Sequence, residues 1–134
     1  MACITGGCLC GRVRYEVERD GAIVDYCHCD TCRRSTGGAT VAWMQVRPDR
    51  FRVTAGEAVA YASSEKMVRH FCAACGSQLY MTDVEARSVG VTVGTLDDKE
   101  AVAPAAHGWD GDRPRWLCLA DGLPRFAADP SYDG

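Results

Sequence analysis

Nine cysteines stand out among the 134 residues of this chain, and their spacing says what chemistry they suit. Seven fall into tight groups: Cys8 with Cys10, Cys27 with Cys29 and Cys32, and Cys72 with Cys75. C-x-C and C-x2-C spacings bring sulfurs together as a tetrahedral metal ion requires. The competing use of so many cysteines is a disulfide framework, which belongs mostly to secreted chains. No basic segment followed by an apolar core opens the sequence, so metal ligation and a cytoplasmic address are expected.

The segment GGCLCG at 6–11 places Cys8 and Cys10 two apart, which on extended backbone points both sulfurs to one face. FCAACGS at 71–77 offers Cys72 and Cys75 in turn form, where Gly76 lets the backbone tighten so that N–H groups approach the thiolates. Together the four make a closed, structural zinc site, with an iron–sulfur centre as the competing use of four thiolates. Its binding free energy, on the order of 10 kcal/mol, would rival the stability of a whole domain.

CHCDTCRR at 27–34 is different, because Cys27, Cys29 and Cys32 are three ligands with no evident fourth. Catalytic zinc sites keep three protein ligands and leave one position for water or substrate. His28 is a poor closer, since between two same-face cysteines its ring points away from them. Cys3 fits either a ligand or a spectator, and Cys118, in the apolar run WLCL, is expected to be a buried structural thiol. Three thiolates leave a divalent ion with net charge of about −1 and weak power to acidify water, but well matched to a fourth sulfur. The implied task is thiol chemistry, with the incoming thiol held as its nucleophilic thiolate. Redox use of these cysteines is the lesser reading, because C-x2-C permits it but the additional Cys27 favours metal. Arg33 and Arg34 would offset the cluster's charge or engage a substrate carboxylate, or serve as ordinary surface charge. Ser35, Thr36, Gly37 and Gly38 would let backbone approach a small ligand, or form only a turn.

The elements that position these groups are mostly strands. GRVRYEVE at 11–18 alternates Val13, Tyr15 and Val17 with polar residues, the period of a half-buried strand. Shorter signals of the same kind occur at 39–46, 51–53, 59–61, 67–71, 79–81 and 89–93. Pro48-Asp49 and Ala55-Gly56-Glu57 read as turns, and hairpins are expected at both. No stretch is amphipathic enough for a long helix; at most a turn or two fits within 31–36 or around 84–87. The tail from Asp121 is punctuated by Pro and Gly, and its last residues are expected to fray. Length, 47% hydrophobic and 25% charged residues and a formal net charge of −3 suit one ordinary globular domain spanning 1–134. No basic stripe suggests nucleic acid as a partner, and no apolar run suits a membrane span. An exposed sheet edge, were one present, would pair two chains.

GGCLCGRVRYEV, CHCDTCRRSTGG and RHFCAACGSQLY, taken in that order, resemble the glutathione-dependent formaldehyde-activating enzyme family, which includes centromere protein V. The resemblance continues through Phe51, Tyr61-Ala62-Ser63-Ser64 and Leu96-Asp97 to Trp116, Leu123-Pro124 and Phe126, nearly the whole chain. One departure falls at His107, followed here by Gly108-Trp109 where the family carries a His-Ile pair. The resemblance implies a mainly β, β-tent-like fold of small coiled sheets braced by a structural zinc on Cys8, Cys10, Cys72 and Cys75. It also implies a catalytic zinc on Cys27, Cys29 and Cys32, hence two zinc ions per chain. The implied activity is that of a carbon–sulfur lyase, joining glutathione to formaldehyde as S-hydroxymethylglutathione. His28, His107 and Asp97 are the candidate proton donors. The alternative is a non-catalytic domain that binds glutathione or acts as a zinc-stabilised interaction module.

Overall fold

A computed structural model describes residues 3–130. In chain order the strands are β1 (Cys3–Gly7), β2 (Arg14–Glu18), β3 (Ile23–Cys27), β4 (Val41–Val46), β5 (Phe51–Ala55), β6 (Val59–Ala62), β7 (Met67–Phe71), β8 (Gln78–Asp83), β9 (Val89–Thr92) and β10 (His107–Gly108). One α-helix among the described residues, α1 (Asp30–Thr36), separates β3 from β4. The expected fraying of the tail concerns residues 131–134, which lie outside the described residues.

The strands form a three-stranded sheet in the order β1-β2-β5 and a seven-stranded sheet in the order β10-β3-β4-β9-β8-β7-β6. Pairing is antiparallel throughout except between β10 and β3. The mainly β expectation is met. Along 13–17 the alternation does what its period demands: Val13, Tyr15 and Val17 turn inward, while Arg14 and Glu16 face out. Tyr15 and Val17 from the smaller sheet join Met44, Leu79 and Val91 of the larger one in a single buried cluster. Burial of this apolar surface is the main non-covalent force holding the sheets together.

Two expectations about connections fail. Pro48 does open a tight turn, a single 3-10 turn over Pro48–Arg50, and Gly56 does sit at a turn with φ 72°. Neither makes a hairpin. The first turn carries the chain from β4 in the large sheet to β5 in the small one, and the second carries it back to β6. Turn residues specify a change of direction, whereas the pairing partner is chosen by the face each strand must bury. Phe51 and Val53 of β5 therefore lie opposite Val17 and Tyr15 of β2.

Strands β1, β3 and the two-residue β10 carried no clear signal, whereas α1 falls where a turn or two of helix was expected, within 31–36. CITGG in β1 is short and ends in two glycines, and IVDYC in β3 has no period-2 alternation of apolar and polar residues. Helix α1 is only seven residues long and is capped by a cysteine, the Cys29 sulfur accepting from the Cys32 N–H. The region around 84–87 is a turn, without helix.

Gly6 shows how closely the small sheet packs on the loop after β9. A Cβ there would lie 2.3 Å from the Tyr15 hydroxyl and 2.5 Å from the Thr95 carbonyl oxygen. Tyr15 itself is fixed by a 2.7 Å hydrogen bond between its hydroxyl and Thr95 Oγ1. Gly6→Ala is accordingly expected to destabilise the protein by about 1–3 kcal/mol, the usual cost of overpacking. Gly94→Ala, whose Cβ would meet nothing within 4 Å, is the control. Thermal melts of the two variants check this, and equal shifts would contradict the packing argument.

Candidate metal centres

The first cysteine group is assembled from two tight turns on different sheets. After β1 the chain reverses, with Cys8 N–H bonded to the Val13 carbonyl and Gly11 N–H to that of Cys8, both at 3.1 Å. After β7 a matching turn is closed by Gly76 N–H on the Cys72 carbonyl at 2.8 Å, and Gly76 takes φ +79°, a region that favours glycine. Ser77 Oγ accepts from Leu9 N–H at 3.0 Å and so locks the turns together.

The Cys8, Cys10, Cys72 and Cys75 sulfurs all lie within 4.8 Å of one another. Cys8 Sγ is 3.5 Å from Cys10 Sγ, which is 3.7 Å from Cys72 Sγ. Metal–sulfur bonds of about 2.3 Å arranged tetrahedrally put sulfurs about 3.8 Å apart, so the donor set fits such an ion. Hydrogen bonds from the Ser77 side chain and backbone hold the Cys75 thiol down to about 5. Although a backbone hydrogen bond at Arg12 opposes it, loss of hydration and then the neighbouring sulfurs push Cys10 up to about 11. Four sulfurs at these distances cannot all ionise unless a cation lies among them.

The second group sits where β3 runs into α1. Cys27 ends the strand, Cys29 caps the helix and Cys32 lies in its first turn, with Cys32 N–H donating to Cys29 Sγ at 3.3 Å. Their sulfurs also lie within 4.8 Å of one another, and no fourth His, Cys, Asp or Glu joins them among the described residues. Hydrogen bonds from Cys27 and then Cys29, followed by the charge of Arg69, hold the Cys32 thiol down to about 2. Cys27 is pushed up by the same sulfur contacts, with Cys29 first and then Cys32, and by burial.

The three cysteines line a cavity of about 690 Å³, with Trp43, Lys66 and Arg69 among its other walls. A neighbouring cavity of about 620 Å³ shares Arg69 and Ser63 and adds Arg34, Ser35, Tyr61 and Gln78. Arg69 is the residue that sequence reasoning passed over; it lay in view only as the first letter of RHFC. Arg34 reaches a cavity wall, whereas Arg33 pairs with Asp30 at 3.4 Å.

None of the candidate proton donors lines either cavity. His28 is fully buried behind the cysteines, its Nε2 2.9 Å from His107 Nδ1, and His107 Nε2 is 2.8 Å from Asp121 Oδ2. Tyr26 stacks on His107 at 4.8 Å. Asp97 lies in the loop after β9, where Arg14 and then Thr5 of the small sheet hold its carboxyl at about 2. Cys118 is exposed, contrary to the expectation of burial. Its segment has no regular structure, with Leu117 and Leu119 half-buried and Cys118 exposed. Cys3 is also exposed, and neither thiol belongs to a cluster.

Residues 3–112 match the model of a family described as the glutathione-dependent formaldehyde-activating enzyme. The chain belongs to that family. The matched stretch contains both cysteine clusters and ends short of Asp121. No curated protein matches the chain. Among solved structures, the crystal structure of a Rhodobacter sphaeroides protein from a structural genomics programme is similar, with 25% identity and a TM-score of 0.62 over 92% of this chain and 100% of that one.

The two clusters are expected to respond differently to substitution. Cys75→Ser breaks the four-sulfur set that joins the sheets and should lower the melting temperature of the whole domain. Cys29→Ser should leave the fold intact while losing one metal ion per chain, and Cys118→Ser should change neither. Metal analysis paired with thermal melts distinguishes these outcomes, and equal unfolding of Cys75→Ser and Cys29→Ser would contradict the division.

Proposed function

We propose that the protein is a zinc-dependent carbon–sulfur lyase, forming or cleaving the adduct of a thiol, glutathione, with a small electrophile such as formaldehyde. The observation that carries this reading is a set of three sulfurs facing a cavity with no fourth His, Cys, Asp or Glu beside them among the described residues. Zinc held there would supply a fourth position that stabilises an incoming sulfur as thiolate. The four-cysteine cluster would hold a second, structural zinc. A cytoplasmic setting, where thiols stay reduced and glutathione is abundant, suits both the free cysteines and the substrate.

The chain's own residues would do the rest. Trp43, buried beneath the cavity, gives the site an apolar wall that limits water and strengthens the electrostatics inside. Lys66 beside the cysteines and Arg34 in the adjoining cavity offer cations for the carboxylates of a peptide-like thiol. Fixing thiol and electrophile together replaces a bimolecular encounter by an oriented one. The sulfur attacks the carbonyl carbon, the π electrons pass to oxygen, and a proton completes the hydroxymethyl group. Because His28, His107 and Asp97 lie away from the cavities, that proton is expected from a wall donor such as Ser63 or Lys66, or from water.

A panel of thiol–aldehyde adducts followed by NMR exchange tests the activity. The wild-type protein should accelerate formation and cleavage of at least one glutathione adduct, and Cys29→Ser, which removes a proposed metal ligand, should lose most of that rate. Glutathione binding without acceleration of any adduct would instead favour a non-catalytic binding module.

A further inference from the structure

Arg69 lies in the middle of β7 with only 5% of its surface exposed, and its guanidinium reaches across to α1. Nη1 and Nη2 stand 3.8 and 3.7 Å from Cys32 Sγ, a forked approach of two N–H donors to one sulfur. The fork is held from the other side. Nε donates to Ser63 Oγ at 3.0 Å, Nη1 donates to Ser35 Oγ at 3.2 Å, and the Trp43 ring lies 5.8 Å from the guanidinium carbon. Each contact fixes the plane and aim of the charged group, which a flexible ammonium would not achieve. Cys32 is also the most buried of the three cysteines, so the charge placed on it is the least screened by water.

We infer that Arg69 is a positioning residue for the cysteine triad, its guanidinium compensating the excess negative charge of three thiolates and drawing electron density from Cys32 through paired N–H···S bonds. The inference rests on the reading of Cys27, Cys29 and Cys32 as a metal site. Three thiolates around a divalent ion carry a net charge of about −1, which repels a fourth sulfur anion. A guanidinium against one of the sulfurs brings the group close to neutrality and relieves the mutual repulsion that opposes gathering three buried thiolates around one ion, an effect that outweighs the slightly weaker donation of the N–H-bonded sulfur. The site then holds its metal and still has an appetite for a further anionic donor. Residues beyond the ligands commonly change metal affinity by about 10–100-fold when altered.

The test compares wild type, Arg69→Met, Arg69→Gln and Arg69→Lys, without any thiol substrate. Chelator competition reads the affinity of each metal, and cobalt substitution reads the sulfur-to-metal charge-transfer band. Arg69→Met should bind the second metal at least about tenfold more weakly, with the first unchanged, and its cobalt band should move to longer wavelength. Arg69→Lys should recover part of the affinity, because it restores the charge but not the fork. Second-metal affinity and a band both equal to wild type in Arg69→Met would overturn the inference, as would Arg69→Lys no tighter than Arg69→Met. If Arg69→Met does not fold, Arg69→Gln decides by the same two readouts against wild type. A wild-type protein holding one metal alone overturns the reading of the triad itself, and this inference with it. Loss of lyase activity in the adduct assays leaves these metal readouts unaffected, so the two failures are distinct.

Discussion

The gathering of four sulfurs from two sheets into one tight group is the constraint on which this architecture turns. Cys8 and Cys10 come from a turn of the three-stranded sheet, Cys72 and Cys75 from a turn of the seven-stranded one, and their sulfurs meet within 4.8 Å. Ionised together, they are tolerable only around a cation, and with one they become a brace between the sheets. The surrounding bonds are consistent with that task. Leu9 N–H on Ser77 joins the two turns, and the Arg14–Asp97 pair, with Thr5 donating to Asp97 at 2.6 Å, ties the small sheet to the loop after β9. The apolar cluster fills the space between the same two sheets.

The second cluster inherits its precision from the first. Strand β7 runs directly from Arg69 toward Cys72, so the register that delivers Cys72 to the four-sulfur group also delivers the guanidinium to Cys32. A bulge between His70 and Phe71 lies on that short path, where β7 pairs with β8. One strand thereby couples two clusters that share no residue. On the opposite side, His28 anchors the Cys27–Cys29 corner to His107 and Asp121, so the triad is held between a cation in front and a buried histidine pair behind.

How much of this was legible in the sequence depended on how local the signal was. The cysteine groups spoke plainly because ligand spacing is a matter of two or three residues, and their division into sets of four and three emerged in space as expected. The alternation of Val13, Tyr15 and Val17 was equally local. By contrast, the turns at Pro48 and Gly56 announced reversals without saying that each strand would change sheets, since pairing is decided by burial far along the chain. The contact of Arg69 with Cys32 spans 37 positions and that of His28 with His107 spans 79, distances over which no sequence pattern carries information. Cys118 misled for a related reason: an apolar neighbourhood in sequence, WLCL, became an irregular surface segment in which Trp116 and Cys118 are exposed.

The parallel pairing of β10 with β3 has a consequence for the life of the chain during synthesis. A growing polypeptide completes its four-sulfur set once residue 75 has emerged, so the brace can form while the remainder is still being made. The triad's cysteines emerge much earlier, yet the strand that flanks them and the histidine that backs them belong to residues 107–108, and Asp121 follows later still. Cys27, Cys29 and Cys32 therefore precede the strand and the histidine that complete their frame, and they take their final surroundings only once the C-terminal part of the chain has been made.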